Sequence, residues 1–80
     1  MHPEESLDRR SQWKAIAVLF GENVHRIRKE KGITQLDLAV AVGVDQKTIV
    51  NIEKGRKVNS IGVAVLIARE LGVVLEELVG

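Results

Sequence analysis

Four glycines punctuate this chain. Gly32, Gly43, Gly55 and Gly72 each stand just past a run whose apolar residues recur every three or four positions, the spacing of one face of an α-helix with a glycine stop. From Ser11 the apolar set is Trp13, Ile16, Ala17, Phe20, Val24 and Ile27. Gly21 inside that run either weakens the helix or permits a close packing contact. Thr34 with Asp37 three residues on is a capping signal ahead of Leu38, Ala39 and Val42. Asp45 opens a third run, about 46–54, which Gly55 closes. Asn59 or Ser60 opens a fourth, 61–71, packed through Ile61, Val65, Ala68 and Leu71, and a last short helix near 75–79 contributes Leu75 and Leu78. No alternating strand pattern competes, so the chain is predicted to be all-α with five helices.

Eighty residues make one small domain with a modest core, and no room for a separate ligand-sensing module. Residues 1–10 are polar, hold the only proline, and read as an N-terminal arm whose order is left open; residues 11–80 form the domain. There is no cysteine, hence no disulfide framework and no thiolate zinc site, which suits a reducing cytosol. The longest apolar runs are too short to span a bilayer, and the first residues do not resemble a signal peptide. A cytoplasmic protein without membrane attachment is expected.

The third run has two unlike faces. At about 100° per residue, Asp45, Thr48, Ile49, Ile52 and Glu53 share one arc, while Gln46, Lys47, Val50, Asn51 and Lys54 share the opposite one. That second set is uncharged or cationic and rich in donors, whereas an ordinary solvated face mixes acids with bases. The net charge of +1 divides unevenly as well. Residues 1–11 carry −1, residues 12–57 carry nine Lys/Arg against five Asp/Glu for +4, and residues 58–80 carry −2. A basic middle between mildly acidic ends points to one side facing a polyanion.

Two short helices separated by Gly43-Val44 have the layout of a helix-turn-helix, whose second helix can enter a DNA major groove. From about Phe20 to Leu78 the chain resembles the Cro/phage-repressor-type helix-turn-helix family, also called the Xre family. The resemblance is carried by Arg26-Ile-Arg28, Lys31-Gly-Ile-Thr-Gln35, Leu38-Ala39, Gly43-Val44, Thr48-Ile49, Ile52-Glu53-Lys-Gly55 and Ile67-Ala68-Arg-Glu-Leu-Gly-Val73. It implies a five-helix repressor-type domain that binds double-stranded DNA through its third helix.

Mapped onto this sequence, the family pattern makes Gln46, Lys47 and Asn51 base-reading positions. Glutamine and asparagine can pair with adenine and lysine can donate to guanine; Val50, between them, can touch a thymine methyl. Gln35 opens the second helix, where backbone N–H groups and its amide can hold a phosphate. Lys54, Arg56 and Lys57 follow the third helix and are expected at flanking phosphates, with Thr48 a further candidate. Glu53 falls on the inner arc, where a lone carboxylate is costly. The resemblance implies that Arg28 pairs with it as a structural ion pair.

Leu36, Val40, Val50, Val63, Leu66 and Val74 are apolar where the family is usually polar. Val63, Leu66 and Val74, with Leu78 or Val79, are expected to form a homodimer contact; Leu36 and Val40 are expected to pack under the N-terminal extension, against Trp13 or Leu7. A partner protein, such as a toxin bound by an antitoxin-type subunit, is the alternative for both stripes. His2 and His25 have no second ligand at usable spacing, so no metal is expected. No nucleophile elbow, glycine-rich phosphate loop or paired carboxylates are present, and no cofactor or small-molecule ligand is implied. The function expected is sequence-specific transcriptional regulation, by a repressor or an activator, in a phage, restriction–modification or toxin–antitoxin setting. The rival is a protein–protein bridging module with no enzymatic activity.

Overall fold

A computed structural model describes residues 3–57 and 60–80, with side chains from Arg9 onward. Five helices follow one another: α1 (Pro3–Glu30), α2 (Gln35–Val42), α3 (Gln46–Glu53), α4 (Ile61–Leu71) and α5 (Leu75–Val79). No strand occurs among the described residues. The short helices fall where the periodicity places them. Residues 3–10, set apart in sequence as an arm, instead continue α1 toward the N-terminus. Proline lacks an N–H that the first helical turn does not use, and its fixed φ suits that position, so Pro3 starts the helix rather than interrupting it. Val58 and Asn59, and with them Asn59 as a cap, lie outside the described residues; Ser60 occupies the cap position and accepts from the Val63 N–H.

The turn between α2 and α3 is three residues long. Gly43 takes φ 77°, and the N–H groups of Gly43 and Val44 bond back to the Val40 and Ala39 carbonyls. Left-handed backbone of this kind favours glycine. The Gly55 and Arg56 N–H groups close α3 in the same pattern on Ile52 and Asn51. Thr34 caps α2 by accepting from the Asp37 N–H, whereas Asp45 holds the cap position of α3 without a side-chain bond.

The core gathers Phe20, Val24 and Ile27 from α1 with Leu38, Ile49, Ile52, Ile67, Leu71 and Leu78. At Gly21 two elements approach closely: a Cβ there would run into the Ile52 and Glu53 carbonyls of α3. A Cβ on Gly55 would likewise meet Val18 of α1 at 2.8 Å. These two glycines let α3 lie against α1 nearly backbone to backbone, which fixes its outer face. Asn23 ties α1 to the end of α5 by donating to the Leu78 carbonyl at 2.9 Å.

Several predicted core residues lie outside the core. Trp13 is 66% exposed, Ile16 51% and Ile61 71%. The apolar stripe of α1 therefore continues beyond the domain it helps to build. Leu36 and Val40 are exposed at 54% and 73%, so they do not pack under α1 as expected; Leu7, the other proposed neighbour, has a side chain outside the described residues.

Candidate nucleic-acid interface

The site begins with what α3 hides. Ile49 and Ile52 are fully buried, and Val44 packs against the same core. With that face fixed inward, helical geometry turns Gln46, Lys47, Val50, Asn51 and Lys54 outward. Gln46, Lys47 and Lys54 are exposed, as are Arg56 and Lys57 in the following loop. Val50, Asn51 and Thr48 are half-buried. Shorter residues at the centre and longer ones at the ends give a strip that can lie along a groove.

A second surface adjoins this strip. Arg28, Lys29, Gly32, Ile33, Thr34, Gln35, Leu36 and Gln46 line an open cleft of about 390 Å³, which joins the start of α2 to the start of α3. The Gln35 and Leu36 N–H groups precede the first intrahelical bond of α2, made by Leu38 to the Thr34 carbonyl, so they remain free to bind an anion. The Gln35 side chain is engaged elsewhere. Its amide donates to Glu53 Oε1 at 3.2 Å.

That bond belongs to a network beneath the strip. Arg28 Nε donates to Glu53 Oε2 at 2.7 Å and Nη2 to Oε1 at 3.0 Å, a bidentate pair with side chains 9% and 5% exposed. Arg28 Nη1 donates to the Ile33 carbonyl at 2.8 Å, tying the α1–α2 turn to the same group. His25 Nδ1 lies 2.8 Å from Glu53 Oε1, and a carboxylate can only accept, so Nδ1 is the donor. Burial pushes the Glu53 carboxyl up, but hydrogen bonds from Arg28, His25 and Gln35 outweigh it and hold the group below its ordinary value. No buried side-chain polar atom among the described residues lacks a partner.

His25 and the inward turn of Gln35 escape sequence reasoning. His25 is 28 positions from Glu53 and has the spacing of a surface residue, so only the packing of α1 on α3 brings them together. Gly21 carried a partial signal as a glycine within a helical run.

The residues expected at a dimer contact divide. Leu66 and Val74 are exposed at 43% and 61%, Val63 is partly buried against the core, and Leu78 is fully buried. Leu78 is therefore a core residue of its own protomer, because its position on α5 faces α1, and Val79 is the exposed residue there.

No helix among the described residues is long and apolar enough to cross a membrane. A helix-turn-helix family model matches residues 24–78. An uncharacterized HTH-type transcriptional regulator from Methanothermobacter thermautotrophicus is 53% identical over 45 residues, covering 56% of this chain and 65% of that relative's length. The uncharacterized HTH-type transcriptional regulator y4dJ from Sinorhizobium fredii is 36% identical over 61 residues, covering 76% of this chain and 79% of the relative. Among solved structures, the restriction-modification controller protein C.AhdI from Aeromonas hydrophila superposes with a TM-score of 0.74 at 29% identity, over 78% of this chain and 94% of that one. The spacing of α2 and α3, the two-faced α3 and these matches agree: the chain belongs to the helix-turn-helix family of Cro/phage-repressor (Xre) type, whose members are DNA-binding transcriptional regulators.

Proposed function

We propose that this helix-turn-helix regulator binds a short pseudo-palindromic operator as a homodimer, in the cytoplasm, with no catalytic step of its own. The observation that carries the reading is the division of α3 into a buried apolar face and an outward strip of Gln46, Lys47, Val50, Asn51 and Lys54. In this reading Gln46, Lys47 and Asn51 contact base edges and Val50 a thymine methyl. The first-turn N–H groups of Gln35 and Leu36 hold one phosphate, while Lys54, Arg56 and Lys57 hold those on the flank. Thr48, half-buried at the edge of the strip, reaches a phosphate only through its hydroxyl. A two-fold pair places its recognition helices about 34 Å apart, one turn of DNA.

The test is a comparison of two groups of variants on one selected duplex and its single-base-pair variants. Gln46→Ala and Asn51→Ala should each cost about 1–3 kcal/mol and relax the choice of base at one position. Lys54→Ala or Arg56→Ala should weaken all duplexes alike and lower the salt slope by about one. Equal losses on every sequence from the first group would contradict base readout.

A second reading attaches to the outside of α2. Leu36 and Val40, one helical turn apart and exposed, form an apolar spot, and because Leu36 also lines the cleft with Gln35 and Gln46, a partner protein seated there would meet the edge of the DNA-facing surface. Val40→Lys, at the exposed position away from the cleft, should abolish such binding while leaving Gln46- and Asn51-dependent readout intact.

A further inference from the structure

Helix α1 is 28 residues long, about 42 Å at 1.5 Å per residue, and it accounts for the 44 Å long axis of a molecule otherwise 22 × 19 Å. Every residue from Arg9 to Ile16 is exposed. Isolated helices of this length are marginal in water, so an overhang lacking its own packing surface needs one from elsewhere. Its apolar stripe is the one that builds the core further on. Trp13, Ile16, Ala17, Phe20 and Val24 follow helical spacing without a break, and burial begins only at Phe20.

Where the overhang leaves the domain, a groove opens. Ile16, Ala17 and Phe20 of α1, Ile61 and Ala64 of α4 and Leu75 and Val79 of α5 line it, with Lys57 on its rim, and it holds about 230 Å³. We infer that a second copy of this chain occupies that groove: the overhanging half of α1 from each protomer lies in the groove of the other, with Trp13 seated against Ile61 and Val79. The contact rests on the dimeric regulator reading and names its seam, which differs from the Leu66–Val74 surface.

Three features favour a second copy as the occupant. Each protomer carries both the projecting stripe and the receiving groove, as a self-complementary two-fold contact requires. One pair of opposite charges is available, since Arg9 and Arg10 lie one turn before Trp13 and Glu76 stands beside Leu75 and Val79 on α5. The area is sufficient. A helix about 10–12 Å across and about 21 Å long offers roughly 350 Å² on one side; given once and received once, that is roughly 700 Å² per protomer, close to the about 800 Å² of a standard interface. Lys57 on the groove rim also follows the recognition helix, so the seam adjoins the DNA-facing strip and fixes the relation of the two α3 helices.

Sedimentation equilibrium of the protein without DNA tests the seam independently of DNA readout. The unaltered chain should be a dimer. Trp13→Glu and Ile61→Glu, both at exposed positions and checked for native helix content by circular dichroism, should weaken association at least tenfold, whereas Leu66→Glu should not. Arg9→Glu/Arg10→Glu should weaken it as well, and adding Glu76→Arg should restore part of the loss. A monomeric unaltered chain, or a Trp13→Glu protein that stays dimeric, would overturn the inference. A monomeric Trp13→Glu protein that still selects a half-site would support both the seam and the DNA reading, whereas a dimeric Trp13→Glu protein that still selects the full site would overturn the seam and leave the DNA reading standing.

Discussion

Glu53 is the residue on which the arrangement turns, because three donors from α1 and α2 meet on one carboxylate of α3. Removing Arg28 or Glu53 alone leaves a nearly buried charge without its partner, and Arg28→Ala or Glu53→Ala should cost roughly 3–5 kcal/mol in urea unfolding. The sign of the pH effect follows from the carboxyl's lowered value. The unfolded chain, with its group near 4.5, binds the proton more tightly than the folded chain. The stabilisation is thus present above about 4.5 and is lost as pH falls through the folded value. Urea midpoints measured from pH 7 down to pH 3 should fall on the acid side, and the fall should be shallower in Glu53→Gln. Gly21 carries the other residue-scale prediction. Alanine normally strengthens a helix by up to about 1 kcal/mol over glycine, but here its Cβ meets two carbonyls of α3. Gly21→Ala should lower stability by about 1–3 kcal/mol as the helices are forced apart.

At the scale of elements, four of the five helices were legible because their apolar residues keep a helical period and a glycine or capping residue marks their ends, the start of α5 at Val74 excepted. The two-faced α3 was legible for the same reason, and its outward residues sit where the wheel puts them. Three things were not. The start of α1 was hidden because a lone proline in polar sequence reads equally as an arm or as a first helical turn. The exposure of Trp13, Ile16 and Ile61 was hidden because periodicity reports a stripe without saying what covers it. The engagement of Gln35 by Glu53 depends on α2 crossing α3, which no local pattern encodes. An element-scale consequence follows from that bond. Glu53→Ala removes an acceptor from the Gln35 amide and loosens α2 on α3, so DNA affinity should fall along with stability, with the preferred sequence unchanged when binding is measured well below the melting temperature.

For the whole molecule, a basic middle of +4 between ends of −1 and −2 leaves exposed cations on and just after α3, of which Lys57 also lines the groove against α5. Lys47, Lys54, Arg56 and Lys57 are exposed on α3 and its following loop, while Glu76 and Glu77 are exposed on α5. Affinity should accordingly fall steeply with salt, while sequence preference, set by uncharged and cationic groups on base edges, should persist. The most direct measurement is selection from a randomised duplex pool at two salt concentrations, followed by sequencing of the retained DNA. A two-fold consensus retained at the higher salt, its half-sites centred about one helical turn apart, is the predicted result. Retention that collapses with salt and leaves no consensus would contradict specific readout by α3 and reduce the interaction to phosphate attraction.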